Sequence, residues 1–160
     1  MRKGFTLIEL LIVIAIIGIL SSSLLVGLGG ARKQARDARR IADLKYVQAA
    51  LELYFNKCAR YPGDDACNPS NPSNWGVLKT ILQNANIGTN QIPNDPAPGQ
   101  NYRYSVTTTD GQRYLLGATL ESDNQVLKSD LDNSDVSSAG FSHAPACDDV
   151  RDPYNYCLGI

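Results

Sequence analysis

A chain of 160 residues has room for one modest domain, and its net charge of −1 hides the fact that much of the apolar content lies in the first 28 residues. The remainder therefore needs a source of stability other than a large hydrophobic core. A single histidine (His143, a plain loop residue), four cysteines without Cys-x-x-Cys spacing, and no Ser/His/Asp set or phosphate-binding loop argue against a zinc site and against an enzyme.

The chain opens on Met1-Arg2-Lys3-Gly4, continues as Phe5-Thr6-Leu7-Ile8-Glu9, and then runs almost unbroken through apolar residues to Leu28. A secretory signal or a simple membrane anchor would share the basic start and the apolar length, but neither has any use for Glu9. An acidic side chain at mid-bilayer costs roughly 2.5–3.5 kcal/mol on insertion scales, so such residues are generally functional. Gly4-Phe5-Thr6-Leu7-Ile8-Glu9 resembles the processing site of the type IV pilin family, which includes the pseudopilins of type II secretion. The resemblance is close over about the first 30 residues and extends further only as a layout of long helix and small head.

That resemblance implies cleavage by a prepilin peptidase between Gly4 and Phe5, N-methylation of Phe5, and an assembly role for Glu9. The Glu9 carboxylate would meet the terminal amine of a neighbouring Phe5 and set subunit register, since only a correctly placed partner offsets a buried charge. The expected organisation is a leader at 1–4, a transmembrane and filament-core helix at 5–30, an amphipathic helix half at 31–56 and a globular head at 57–160.

No proline interrupts the chain between Met1 and Tyr61, and one helix over 5–56 would span roughly 78 Å. Ala38, Ile41, Leu44, Val47, Leu51, Leu53, Tyr54 and Phe55 form an amphipathic stripe along its second half. Gly27, Gly29 and Gly30, with Gly18 upstream, each cost about 1 kcal/mol relative to alanine. They serve either to let the helix extend locally on packing or to let neighbouring helices approach. Val26 stands where the family often has a proline. Charge is segregated: residues 1–60 carry a balance of +6 and residues 61–160 one of −7, so stalk and head of neighbouring subunits would attract. Arg32, Lys33, Arg36, Arg39 and Arg40 follow the apolar run with only Asp37 opposing them, a flank that the positive-inside rule assigns to the cytoplasm. The cysteines and the leader favour the opposite side for the head.

In the head, Cys58, Cys67, Cys147 and Cys157 suggest two disulfides and an oxidising compartment. Three pairings are open. Sequence proximity favours Cys58–Cys67 and Cys147–Cys157, each worth about 2–3 kcal/mol. Tyr61-Pro62-Gly63-Asp64-Asp65 is turn chemistry, and Ser73 or Asn74 could cap a short helix around Trp75–Asn84 with Trp75, Val77, Leu78, Ile81 and Leu82 buried. Tyr102–Val106 and Gln112–Leu120, flanking an Asp110-Gly111 turn, read as a hairpin. The fold class is thus α+β: a long N-terminal helix whose second half packs on a small antiparallel sheet in a disulfide-stabilised head.

From Glu121 to Asp152 the chain is acidic and loop-like. Asp130, Asp132 and Asp135 place carboxylates as an oxygen-ligand loop begins, without the glycine and terminal glutamate of an EF-hand, and resemblance to major pseudopilins makes calcium the one cofactor to consider. The Cys147–Cys157 loop resembles the C-terminal disulfide loop of type IV pilins. The family implies a homo-oligomeric helical filament, stored in the bacterial inner membrane and assembled by dedicated pilus or secretion machinery. Its first role would be a cell-surface pilus for adhesion, motility or DNA uptake. The alternative is a periplasmic type II secretion pseudopilin. A third is a minor competence subunit binding nucleic acid, which the −7 head disfavours.

Overall fold

The computed structural model describes residues 5–63, 67, 74–89, 91–107, 110–131, 147 and 154–159, leaving aside the side chains of 23–27. Helix α1 runs from Leu7 to Cys58. The chain divides into two compact units, Met1–Ala35 and Arg36–Ile160, each described by itself.

In the first unit α1 is helical throughout, including at Gly29 and Gly30, and a Cβ built on Gly18, Gly29 or Gly30 would meet nothing within 4 Å. Nothing among the described residues therefore requires these glycines to be small. The apolar side chains are exposed, from Phe5 at 85% to Leu28 at 46%. No helix among the described residues is long and apolar enough to cross a membrane. The side chains of 23–27 lie outside the described residues, and the sequence run continues through them, by Leu24, Leu25 and Val26, to Leu28. The expected span over 5–30 includes those residues.

In the second unit the buried face of α1 is Asp37, Arg40, Leu44, Val47, Ala50, Leu51 and Tyr54, spaced as one helical stripe. It opens on a polar pair, while Ala38 and Leu53, expected in the stripe, are exposed. Helix α2 (Trp75–Asn84) buries Trp75, Leu78 and Leu82, with Val77 and Ile81 half-buried. Asn74 caps it by accepting from the Val77 N–H at 3.1 Å, and Lys57 donates to the Ala85 carbonyl at 2.6 Å near its other end.

Strands β1 (Arg103–Val106), β2 (Tyr114–Leu120) and β3 (Tyr154–Gly159) form an antiparallel sheet in the order β1-β2-β3. Alternation sends Tyr104, Val106, Tyr114, Leu116, Ala118, Leu120 and Tyr156 into one core with the α1 stripe and α2. The opposite face carries Arg103, Ser105, Leu115, Thr119, Asn155 and Cys157, and a smaller cluster of Leu115, Cys147 and Cys157 with Leu131 sits on it. Pairing starts at Val106 opposite Tyr114, so residues 107–113 connect β1 to β2, a longer connection than an Asp110-Gly111 turn alone. Thr107 closes it, donating its N–H to the Arg113 carbonyl (2.9 Å) and its hydroxyl to Asp110 Oδ1 (2.6 Å), while Gly111 takes a φ of +63°. A short 3₁₀ helix, Gln125–Ser129, interrupts the region from Glu121 to Asp152 read from sequence as loop, and strand β3 takes up the Cys157 end of the expected Cys147–Cys157 loop.

Candidate functional site

The start of α1 is a capping box. Glu9 Oε2 accepts from the Thr6 N–H at 2.9 Å and from the Thr6 hydroxyl at 2.6 Å, and the Glu9 N–H points back at Thr6 Oγ1 at 3.4 Å. Thr-x-x-Glu before an apolar run is a sequence signal for this arrangement, and it accounts for Thr6 as well as Glu9. Within one subunit Glu9 thus serves its own helix. Phe5, beside it, is exposed, and Gly4 lies outside the described residues.

The basic flank of the apolar run is sorted by the fold. Arg40, 1% exposed, lays Nε and Nη2 on the two oxygens of Asp95 (2.8 and 2.9 Å), while its Nη1 reaches Asp37 (2.9 Å) and Glu121 (2.8 Å). Arg36 grips Glu121 through Nε and Nη2 at 2.7 and 2.5 Å. Asp37, fully buried, also accepts from the Glu121 N–H (2.9 Å) and the Ser122 hydroxyl (2.5 Å). Every partner saturates another, which is the condition under which buried charge is tolerated. The bonds from Arg36 first, and then the bond from Arg40, hold the Glu121 carboxyl down at about 2 against burial, which pushes it up. Arg36 and Arg40 thus realise an attraction between basic helix and acidic head inside one chain, where the sequence suggested one between neighbouring subunits. Arg32 and Lys33 remain exposed, and Arg39 approaches Asp43 only at 3.8 Å.

The cysteines pair as Cys58–Cys67 and Cys147–Cys157. The first joins the end of α1 to the following turn, where the Cys67 N–H donates to the Tyr54 hydroxyl at 2.6 Å. The second fastens Cys147 onto β3. Of the calcium candidates, Asp130 accepts the Cys157 N–H through Oδ2 at 2.7 Å, and Asp132 and Asp135 lie outside the described residues, as does His143. Among the described residues no group of three or more His, Cys, Asp or Glu could hold a metal ion.

A long helix with a capped, acid-bearing apolar start and a disulfide-stapled α+β head defines a structural subunit, not an enzyme. The family model described as the prokaryotic N-terminal methylation motif matches residues 1–25. Type II secretion system core protein G of Pseudomonas aeruginosa strain PAO1 is 31% identical over 149 residues, 84% of this chain and 96% of the relative. The Vibrio cholerae El Tor protein of the same name is 27% identical over 151 residues, 85% of this chain and 95% of the relative. With the Klebsiella pneumoniae core protein G the match is 36% over 61 residues, less than half the length of that relative at 44%. No solved structure matches. The chain belongs to the type IV pilin family.

Proposed function

We propose that this chain is the major pseudopilin of a type II secretion system: a subunit cut after Gly4, methylated on Phe5, held in the inner membrane by 5–30, and assembled with copies of itself into a periplasmic filament that drives protein export. The alignment to the P. aeruginosa core protein G over nearly the full length of both chains carries this reading. It reverses the order that the N-terminal motif and the C-terminal cysteines suggest, in which a surface pilus comes first. Assembly would bury the exposed apolar side chains between Phe5 and Leu20, with Leu28, among copies of itself, and Glu9, on release from Thr6, would accept the Phe5 amine of a neighbour. Calcium on Asp130, Asp132 and Asp135 belongs to the same proposal. A higher melting temperature of the full chain in calcium than in chelator, lost in Asp132→Ala, supports it, and equal melting removes it.

The deciding experiment deletes the gene and follows exported proteins and surface filaments together. Retention of secreted enzymes in the periplasm with normal pili, restored by the intact gene, is the expected result, alongside a mass for the mature chain that begins at methylated Phe5. Loss of surface filaments with intact secretion would instead establish the pilus subunit, the second reading, which the Cys147–Cys157 loop favours.

A further inference from the structure

Of the cations that follow the apolar run, the head neutralises Arg36 on Glu121 and Arg40 on Asp95 and Asp37. Arg32 and Lys33 stay exposed on α1, and Asp37, the acid nearest to them in sequence, is fully buried and committed to Arg40 and Ser122. They follow Leu28, the end of the run, by four and five residues. At a helical rise of about 1.5 Å per residue that places them roughly 6–8 Å further along α1. The polar layer outside the hydrocarbon core of a bilayer is roughly 5–8 Å deep on each side. Both cations therefore stand at the depth of lipid phosphates when the run fills the core.

Long side chains on a helix lean toward its N-terminus and lie over the preceding turn. For Arg32 and Lys33 that turn is Leu28-Gly29-Gly30-Ala31. Gly29 and Gly30 are helical and exposed, and a Cβ built on either meets nothing within 4 Å. The glycines weaken the helix, and the space they leave is open to a molecule from outside. Charge and position suit one guest: a phosphate between the two cations, with acyl chains continuing along the exposed apolar side chains of the run. We propose that Arg32 and Lys33, over the notch at Gly29 and Gly30, form a site for the phosphate headgroup of an anionic phospholipid, which holds the subunit at the membrane surface before assembly. The occupant rests on the membrane-held reading above; the site itself rests on the two exposed cations and the open turn.

The test reads the lipid bound to the full chain. Native mass spectrometry of the chain released from detergent micelles carrying equal amounts of phosphatidylglycerol and phosphatidylcholine should show the anionic lipid preferred about 25-fold, or about fivefold for each cation. Arg32→Gln or Lys33→Gln alone should lower the preference to about fivefold. The double variant should abolish it while the head melts at the wild-type temperature. Gly29→Leu keeps both charges and favours the helix, and should lower the preference by filling the notch. Equal retention of the two lipids by wild type overturns the proposal, as does a preference that survives in the double variant. A preference untouched by Gly29→Leu would assign it to diffuse charge and overturn the site. Glycerol phosphate has the headgroup chemistry without acyl chains. If it displaces phosphatidylglycerol at equal concentration, the guest is a free anion and the lipid occupant is overturned. A second copy of the chain retained in place of lipid, and lost in the double variant, would overturn it equally. Alkaline carbonate extraction from vesicles of the same lipids tests the membrane-held reading separately. Release of wild type to the supernatant sinks that reading, while the lipid preference in micelles still decides the site.

Discussion

The two ends of α1 solve opposite problems. Leu7, Ile8 and Leu10 leave 60–80% of their surface exposed and the only carboxylate nearby caps its own helix, whereas from Asp37 to Tyr54 the buried stripe is closed off by side chains of the head, down to an arginine held by three acids. One helix therefore contains a segment that is complete within the subunit and a segment that calls for partners outside it. Apolar exposure identifies the surface that assembly consumes. A satisfied polar cluster identifies the surface that assembly can leave alone.

Substitutions can separate the two regions. The largest effect is expected from Glu9→Ala: filaments are lost while the head melts at the wild-type temperature, and abundant normal filaments would remove Glu9 from assembly. Arg40→Met strikes the other region. It strands Asp37 and Asp95 without their counterion, and urea unfolding of the full chain should show a loss of about 3–5 kcal/mol. Replacing both Cys147 and Cys157 by serine should cost about 2–3 kcal/mol and free β3 from Cys147. The smallest effect concerns acid. The Glu121 carboxyl is depressed from an ordinary 4.5 to about 2 by Arg36, so its contribution is present above about pH 4.5 and disappears as pH falls through about 2. Glu121→Gln should flatten the fall of stability in that window relative to wild type, and identical slopes would show that the pair does not stabilise the fold.

What could be read from the sequence was local. The stripe at Leu44, Val47, Leu51 and Tyr54, the Asn74 cap and the β1–β2 pair all follow from periodicity and turn chemistry within short windows. Strand β3 was hidden because Tyr154–Gly159 surrounds Cys157 and reads as a disulfide loop, although Tyr154, Tyr156 and Leu158 alternate as a strand requires and join the core. The ion cluster was not legible: Arg36 and Glu121 stand 85 positions apart, and a basic run beside an apolar one looks the same whether its charges face water or carboxylates. The capping box is written plainly in Thr6 and Glu9, three residues apart ahead of the apolar run.

The reach of the Arg40 cluster also has a consequence in time. Its bonds join positions 55 and 81 residues apart in the chain, so they close only after most of the head has been made and brought together. Before that moment Arg32, Lys33, Arg36, Arg39 and Arg40 are all hydrated cations next to the apolar run. Afterwards Arg36 and Arg40 are neutralised, and Arg32, Lys33 and Arg39 remain exposed. The charge that this segment shows its surroundings is thus a clock of folding, high in the nascent chain and lower once the head is complete.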